Sequence, residues 1–208
     1  QKLEQQSDRY SEYYLEDLIE QKISLLYELN MDDEALKTIK ANIDFPHIRK
    51  MLIDIEKANG NINKVEKLLK DGIKIELKRG YSGLVSQYIE NLLMIYKEQH
   101  QKEEYKSLVE DALFKYDKGS FKYYKKLKEL YSEEQWKDIR DNIITTLEND
   151  SHGYYRDDLR KIYIEEQYYE KLYHSVMTTP LFEILVSYEK YLKKDFENEL
   201  LEEYKKIA

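Results

Sequence analysis

The 208-residue chain carries 34 basic and 42 acidic residues, a formal net charge of −8, and 41% hydrophobic residues. The hydrophobic share is too high for a disordered chain, and the negative charge argues against a surface built throughout to hold a polyanion. Cysteine is absent, which excludes a disulfide framework, a thiolate nucleophile and a cysteine zinc site, and suits a reducing cytoplasm.

Apolar residues recur at three- and four-residue spacing along nearly the whole chain, the signature of amphipathic helices. Leu15, Leu18, Ile19, Ile23 and Leu26 line one face of a long first helix. Asn30, ahead of Met31-Asp32-Asp33-Glu34, reads as an N-cap with acidic residues placed to meet the dipole of a second helix. Gly60 and Gly80 fall between stripes as helix stops, whereas Gly72 lies inside the pattern from Val65 to Leu77 and predicts a kink. Leu84, Val85, Tyr88, Leu92, Ile95 and Tyr96 line the next helix. Tyr105, Leu108, Val109, Ala112, Leu113 and Tyr116 line another, which Gly119 ends. Ser132 with Gln135 forms a capping box ahead of Trp136, Ile139 and Ile143. After Gly153, Thr179-Pro180 sets a capping hydroxyl before proline at a first helical position. Phe196, Leu200, Leu201, Tyr204 and Ile207 close the series. Alternation with period two is nowhere sustained, and two prolines and six glycines supply too few turn residues for a sheet.

Three segments look alike: LMIYKEQHQKEEYKSLVEDAL from Leu93, LKELYSEEQWKDIRDNI from Leu127 and LRKIYIEEQYYEKLYHSV from Leu159. Each runs from a leucine to a helix-ending tyrosine, through a charged turn, to an aromatic and a second amphipathic helix. Trp136 follows Tyr131, and Tyr168 follows Tyr163, by five residues, whereas Tyr105 follows Tyr96 by nine. Stretches from Leu25 and Ile55 read as divergent copies. Starts spaced by 34 and then 32 residues match helix-pair repeats, in which one pair cannot bury its apolar face without its neighbour. The expected fold is therefore all-α, an α-α superhelix or tetratricopeptide-like solenoid of antiparallel helix pairs. It should run over residues 1–208 as one helical-repeat domain of roughly ten to twelve helices. The start QKLEQQSDRY lacks a methionine and a signal-peptide core, so the chain reads as a fragment of something longer. No apolar run reaches the ~20 residues of a membrane span.

The phrases LRKIYIEEQYYEKL, PLFEILVSYEKYLKKDFENELLEEYKKIA and GLVSQYIENLLMIYKE resemble the tetratricopeptide-like helical region of bacterial SWIM-type zinc-finger proteins, from about Asp17 onward. In that family the helical region follows the zinc finger and has no defined biochemical role. The resemblance implies a bacterial, cytoplasmic helical-repeat segment. The Cys/His pattern that names the family is missing here, so no functional residue carries over.

Candidate chemistry is sparse. None of His47, His100, His152 and His174 sits in a His-x3-His or His-Glu-x2-His pair. Glu166, Glu170 and His174 follow at four-residue spacing and would share a helical face, an arrangement that any exposed helix of an acidic protein offers. Gly80-Tyr81-Ser82-Gly83 lacks the spacing and the strand of a nucleophile elbow. Asn149-Asp150-Ser151 matches a glycosylation triplet that carries meaning only after secretion. No cofactor, metal or catalytic residue is expected, and the chain is not read as an enzyme.

Two surface features remain. Residues 114–128, FKYDKGSFKYYKKLK, interleave lysines with aromatics, which makes Lys118, Lys122, Lys125 and Lys126 candidate polyanion contacts. The bland reading is that Phe121, Tyr124, Leu127 and Tyr131 are core while the lysines solvate the outer face; the acidic flanks and the lack of arginine favour it. Tyrosines at adjacent positions cannot all face inward, because neighbouring helical residues diverge by about 100°. Tyr154, Tyr155, Tyr169 and Tyr173 are therefore a candidate interaction surface, against the plainer alternative of packing between repeats. The sequence is best read as a non-catalytic protein-interaction or scaffolding module with a protein or peptide partner. A nucleic-acid-associated module acting through residues 115–128 and a structural spacer are the alternatives.

Overall fold

A computed structural model describes residues 2–149, 156–178 and 180–207, with side chains from Ser11 onward apart from Arg156. Among them are eleven α-helices and one π-helical turn, and no strand, as the three-four periodicity predicts. The chain divides into two compact units, Gln1–Tyr105 and Lys106–Ala208, with the boundary inside one helix.

The first unit holds α1 (Lys2–Glu28), α2 (Asp32–Ala41), α3 (Pro46–Ala58), α4 (Ile62–Arg79), α5 (Ser82–Glu98) and the start of α6 (Lys102–Asp111). Consecutive helices from α1 to α5 pack on one another. Ile23 from α1, Ala35 and Ile39 from α2, and Ile48 and Leu52 from α3 form one buried cluster. Val65, Leu69 and Ile73 on α4, with Val85, Ile89 and Leu92 on α5, are buried as well. Covering each large aliphatic contributes roughly 1.5–3 kcal/mol.

One turn recurs between these helices. Asn30, Gly60, Gly80 and His100 adopt φ of 56°, 70°, 77° and 57°. After each, the next amide donates to the carbonyl five residues back: Met31 to Leu26, Asn61 to Glu56, Tyr81 to Glu76 and Gln101 to Tyr96, at 2.8–3.0 Å. The left-handed residue itself donates three residues back, completing a Schellman motif that satisfies the orphan carbonyls of the helix end. The following helix starts at once, at Asp32, Ile62, Ser82 and Lys102. With the connection closed by backbone bonds, Met31, Asn61 and Tyr81 precede their helices with no side-chain cap. Asn30 thus ends α1 rather than capping α2, a role its tolerance of the left-handed region allows. Gly72 gives no kink. It lies buried inside an unbroken α4, where a Cβ would stand 2.8 Å from a Tyr88 ring carbon.

The second unit holds the rest of α6, the π-helical turn Ala112–Tyr116, α7 (Phe121–Lys128), α8 (Glu133–Asn149), α9 (Arg156–Glu165), α10 (Tyr169–Met177) and α11 (Phe182–Ile207). Here α9 packs on α7 and α10, and α10 on α11. The predicted box at α8 forms, with Ser132 and Gln135 exchanging side-chain-to-backbone bonds at 3.1 and 3.3 Å. Gln167, at φ 58°, makes the same turn as in the first unit, the Tyr168 amide donating to the Tyr163 carbonyl at 2.8 Å.

The repeat alignment therefore needs correcting. Tyr96 and Tyr163 hold equivalent places, but the residue five positions after Tyr96 is Gln101, not the aromatic Tyr105. Around Tyr131 the chain makes successive shorter turns instead, with the Leu130 and Tyr131 amides each donating three residues back. Trp136 consequently sits inside α8, whereas Tyr168 stands just ahead of α10. α11 is broken at Phe196, whose φ/ψ of −134°/31° is not helical.

Candidate functional site

The first unit has a polar centre. Arg49 is on the inward face of α3, beside Ile48, Leu52 and Ile53, and all four are buried. Its guanidinium donates to Glu76 at 2.8 Å and to the Tyr88 hydroxyl at 3.0 Å from one nitrogen, and to the Asp44 carbonyl at 3.1 Å from the other. The missing side chain of Gly72, one turn before Glu76 on α4, makes room for the Tyr88 ring and the Arg49 stem. Burial pushes the Tyr88 hydroxyl pKa up, against the pull of Arg49. The second Glu76 oxygen is buried without a hydrogen bond. A pair this deep repays its desolvation only through such added bonds.

This centre shapes the surface above it. Arg79 also donates to the Asp44 carbonyl, at 2.8 Å, so two arginines tie the α2–α3 connection beside the α4–α5 turn. Phe45, Pro46 and His47 on one side and Arg79, Gly80, Tyr81 and Leu84 on another thereby wall a cleft of about 460 Å³. Glu12, Tyr13 and Glu16 of α1 complete it. Tyr13, Phe45, Pro46, Tyr81 and Leu84 give it apolar surface, and Glu12, Glu16, His47 and Arg79 add polar groups, a mixture that suits a binding cleft.

At one edge, Glu16, Glu20 and His47 converge. Glu16 is only 4% exposed, and its carboxylate accepts the His47 backbone N–H at 2.8 Å, capping the first turn of α3. The His47 Nδ1 lies 3.1 Å from Glu20. One atom from each of the three side chains falls within 4.8 Å of the others. Glu16 and Glu20 face the same way because they are one helical turn apart. Nothing in the sequence marks His47, about thirty residues on, as their partner; only the packing of α3 on α1 brings it there.

The second unit holds most of the residues that the sequence singles out. Tyr123, Tyr124 and Leu127 are fully buried, while Phe121 and Tyr131 are half-buried. Lys122 lies over the Tyr123 ring and Lys125 over the Phe121 ring, at 4.7 and 5.9 Å from the centroids; Lys118 and Lys126 are half-buried. Lys128 bridges Glu165 and Glu166 at 3.0 and 2.8 Å. Desolvation opposes the Lys128 charge, but the two carboxylates outweigh it and raise the pKa. Glu166 also accepts the Trp136 indole N–H at 3.2 Å. It therefore does not line up with Glu170 and His174: the left-handed turn at Gln167 separates them. Burial, with the Glu166 carboxylate nearby, pushes the pKa of the Tyr124 hydroxyl up.

Tyr154 and Tyr155 lie outside the described residues, as do Gly153 and the serine of the glycosylation triplet. Tyr169 is half-buried beside Tyr168 and Asp141 in a second hollow of about 460 Å³. Tyr173 is stacked flat on Phe196, with ring centroids 4.3 Å apart. Tyr168 donates to Asp141 and lies under Arg140, and burial followed by that bond pushes its pKa up to about 12. Tyr188 donates to Asp157, with its pKa pushed up to about 12 for the same two reasons. Buried Arg160 donates to the Ser175 carbonyl at 2.8 Å.

Ser82 of the Gly-Tyr-Ser-Gly segment begins α5 and is exposed, as a helix connection requires. Among the described residues, no helix is long and apolar enough to cross a membrane. No family model, curated protein or solved structure matches the chain.

Proposed function

We propose that this chain is a non-catalytic protein-interaction module that binds a peptide or protein segment in the cleft of its first unit. The observation that carries this reading is the cleft of about 460 Å³ itself, walled by Tyr13, Phe45, Pro46, Tyr81 and Leu84 and held in shape by the Arg49 and Arg79 bonds to Asp44. Apolar and aromatic walls with a few oriented polar groups suit a side chain or two of an extended partner. A helical-repeat, tetratricopeptide-like arrangement is part of the proposal, supported by the turn shared at Asn30, Gly60, Gly80, His100 and Gln167. The resemblance to the helical region of SWIM-type proteins points the same way, toward a bacterial cytoplasmic setting.

Selection from a random-peptide display library against the whole protein tests it. Enriched peptides should bind about tenfold or more weakly to Leu84→Lys and Tyr13→Ala. They should bind equally well to a variant with Lys122, Lys125 and Lys126 all changed to glutamate. Binding that survives the cleft changes would sink the proposal. Salt-sensitive retention of single-stranded DNA that the triple variant loses would favour the nucleic-acid alternative.

A further inference from the structure

We propose that Glu16, Glu20 and His47 form a divalent-cation site at the edge of the cleft, of a kind that suits Zn²⁺. The ligand set has the right chemistry and number. Two carboxylates and one imidazole are three protein ligands, the number that leaves a fourth position for water or a ligand group. Imidazole selects for zinc-like ions over magnesium or calcium.

The spacing fits as well. A tetrahedral ion with bonds of about 2.0–2.1 Å holds neighbouring ligand atoms about 3.3 Å apart. The His47 nitrogen and the Glu20 oxygen are 3.1 Å apart, and the whole set lies within 4.8 Å. The His47 side chain is 69% exposed and free to rotate the short distance needed, whereas Glu20, 32% exposed, already stands within reach.

Glu16 supplies the observation that sets this cluster apart from surface acids. Its side chain is buried, lines the cleft, and has one oxygen fixed by the His47 backbone N–H. Ligating carboxylates in metal sites are commonly braced by such a hydrogen bond. Here the bracing amide comes from the residue whose ring is the third ligand. The N-terminus of α3, equivalent to roughly half a positive charge, opposes a cation, but the two carboxylates bring two full negative charges.

Calorimetric titration of the whole protein with ZnCl₂ alone tests the site. One Zn²⁺ should bind per chain, and Glu20→Gln and His47→Gln should each weaken binding at least tenfold, with His174→Gln as the unaffected control. Both test positions are exposed enough for the fold to survive. The unmodified protein gives a second readout, because the His47 imidazole nitrogen resonances should move on Zn²⁺ addition while those of His100 and His174 stay in place. Absence of saturable uptake would overturn the proposal, leaving His47 and Glu20 as a simple hydrogen-bonded pair. Uptake undiminished in Glu20→Gln and His47→Gln would overturn it too. Either result leaves the peptide test of the cleft standing on its own.

Discussion

The two units solve the same problem, pinning short amphipathic helices together, with different polar chemistry. The first buries a three-way centre, where Arg49, Glu76 and Tyr88 meet out of contact with water and brace the backbone at Asp44, beside cross-helix pairs such as Tyr96 with Glu66. The second distributes it over pairwise bonds: Tyr168 with Asp141, Tyr188 with Asp157, Tyr163 with Glu148, and Lys128 with Glu165 and Glu166. A central brace leaves the surrounding surface free to form a cleft. Distributed pairing takes up the side chains of Tyr163, Tyr168, Tyr188 and Lys128.

The sharpest way to break this contrast is to remove the central brace. Arg49→Ala leaves the buried Glu76 carboxylate with only the longer Arg79 contact at 3.9 Å and should cost about 3–5 kcal/mol in chemical denaturation. Replacing Arg49 by Met and Glu76 by Leu together should cost much less, because no buried charge is stranded. In the second unit, Trp136→Ala should cost about 3–5 kcal/mol by loss of packing, whereas Lys137→Ala, on the exposed side of the same helix, should stay within about 0.5 kcal/mol. Trp136 is 4% exposed, so native emission should be blue-shifted and should move to the red on unfolding.

Gly72→Ala sharpens the account of the centre. An added methyl would press on the Tyr88 ring, so a loss of about 1–3 kcal/mol is expected, where an open helical site would gain up to about 1 kcal/mol. The distributed bonds should each matter less. Tyr168→Phe should cost about 1 kcal/mol, limited by solvent screening at a half-exposed position.

Those bonds also set the alkaline behaviour. Tyr168 and Tyr188 titrate at about 12 in the folded chain, above the unfolded value of about 10. The unfolded chain loses these protons first, so their stabilisation is fully present below pH ~10 and is lost as pH rises toward 12. Tyr168→Phe should reduce that loss, as a denaturation series across this pH window would measure.

Much of the fold can be read from the chain because helical periodicity is a local signal. The stripes through Ile23, Leu92 and Val109, the Ser132–Gln135 box and the inward Trp136 depend only on neighbours in sequence. What escaped depends on contacts across tens of residues. Gly72 looked like a kink because its function is to admit Tyr88, which is sixteen positions away. Arg49 carries no signal in its own neighbourhood, and only the packing of α4 brings Glu76 to it. Asn30 reads in the sequence as the cap of α2, and only its left-handed backbone shows that it ends α1. The lysine-rich segment and the tyrosine pairs stood out by composition, yet Glu16, Glu20 and His47 carry no compositional signal at all.

The central claim is that binding belongs to the cleft of the first unit and not to the aromatic and basic groups of the second. Hydrogen exchange of the whole protein, with and without a peptide taken from display selection, tests it most directly. The account predicts slowed exchange in the α2–α3 connection, residues 44–47, and in the α4–α5 turn, residues 80–84. Protection centred instead on residues 115–128 or 169–173, with the cleft segments unchanged, would contradict it.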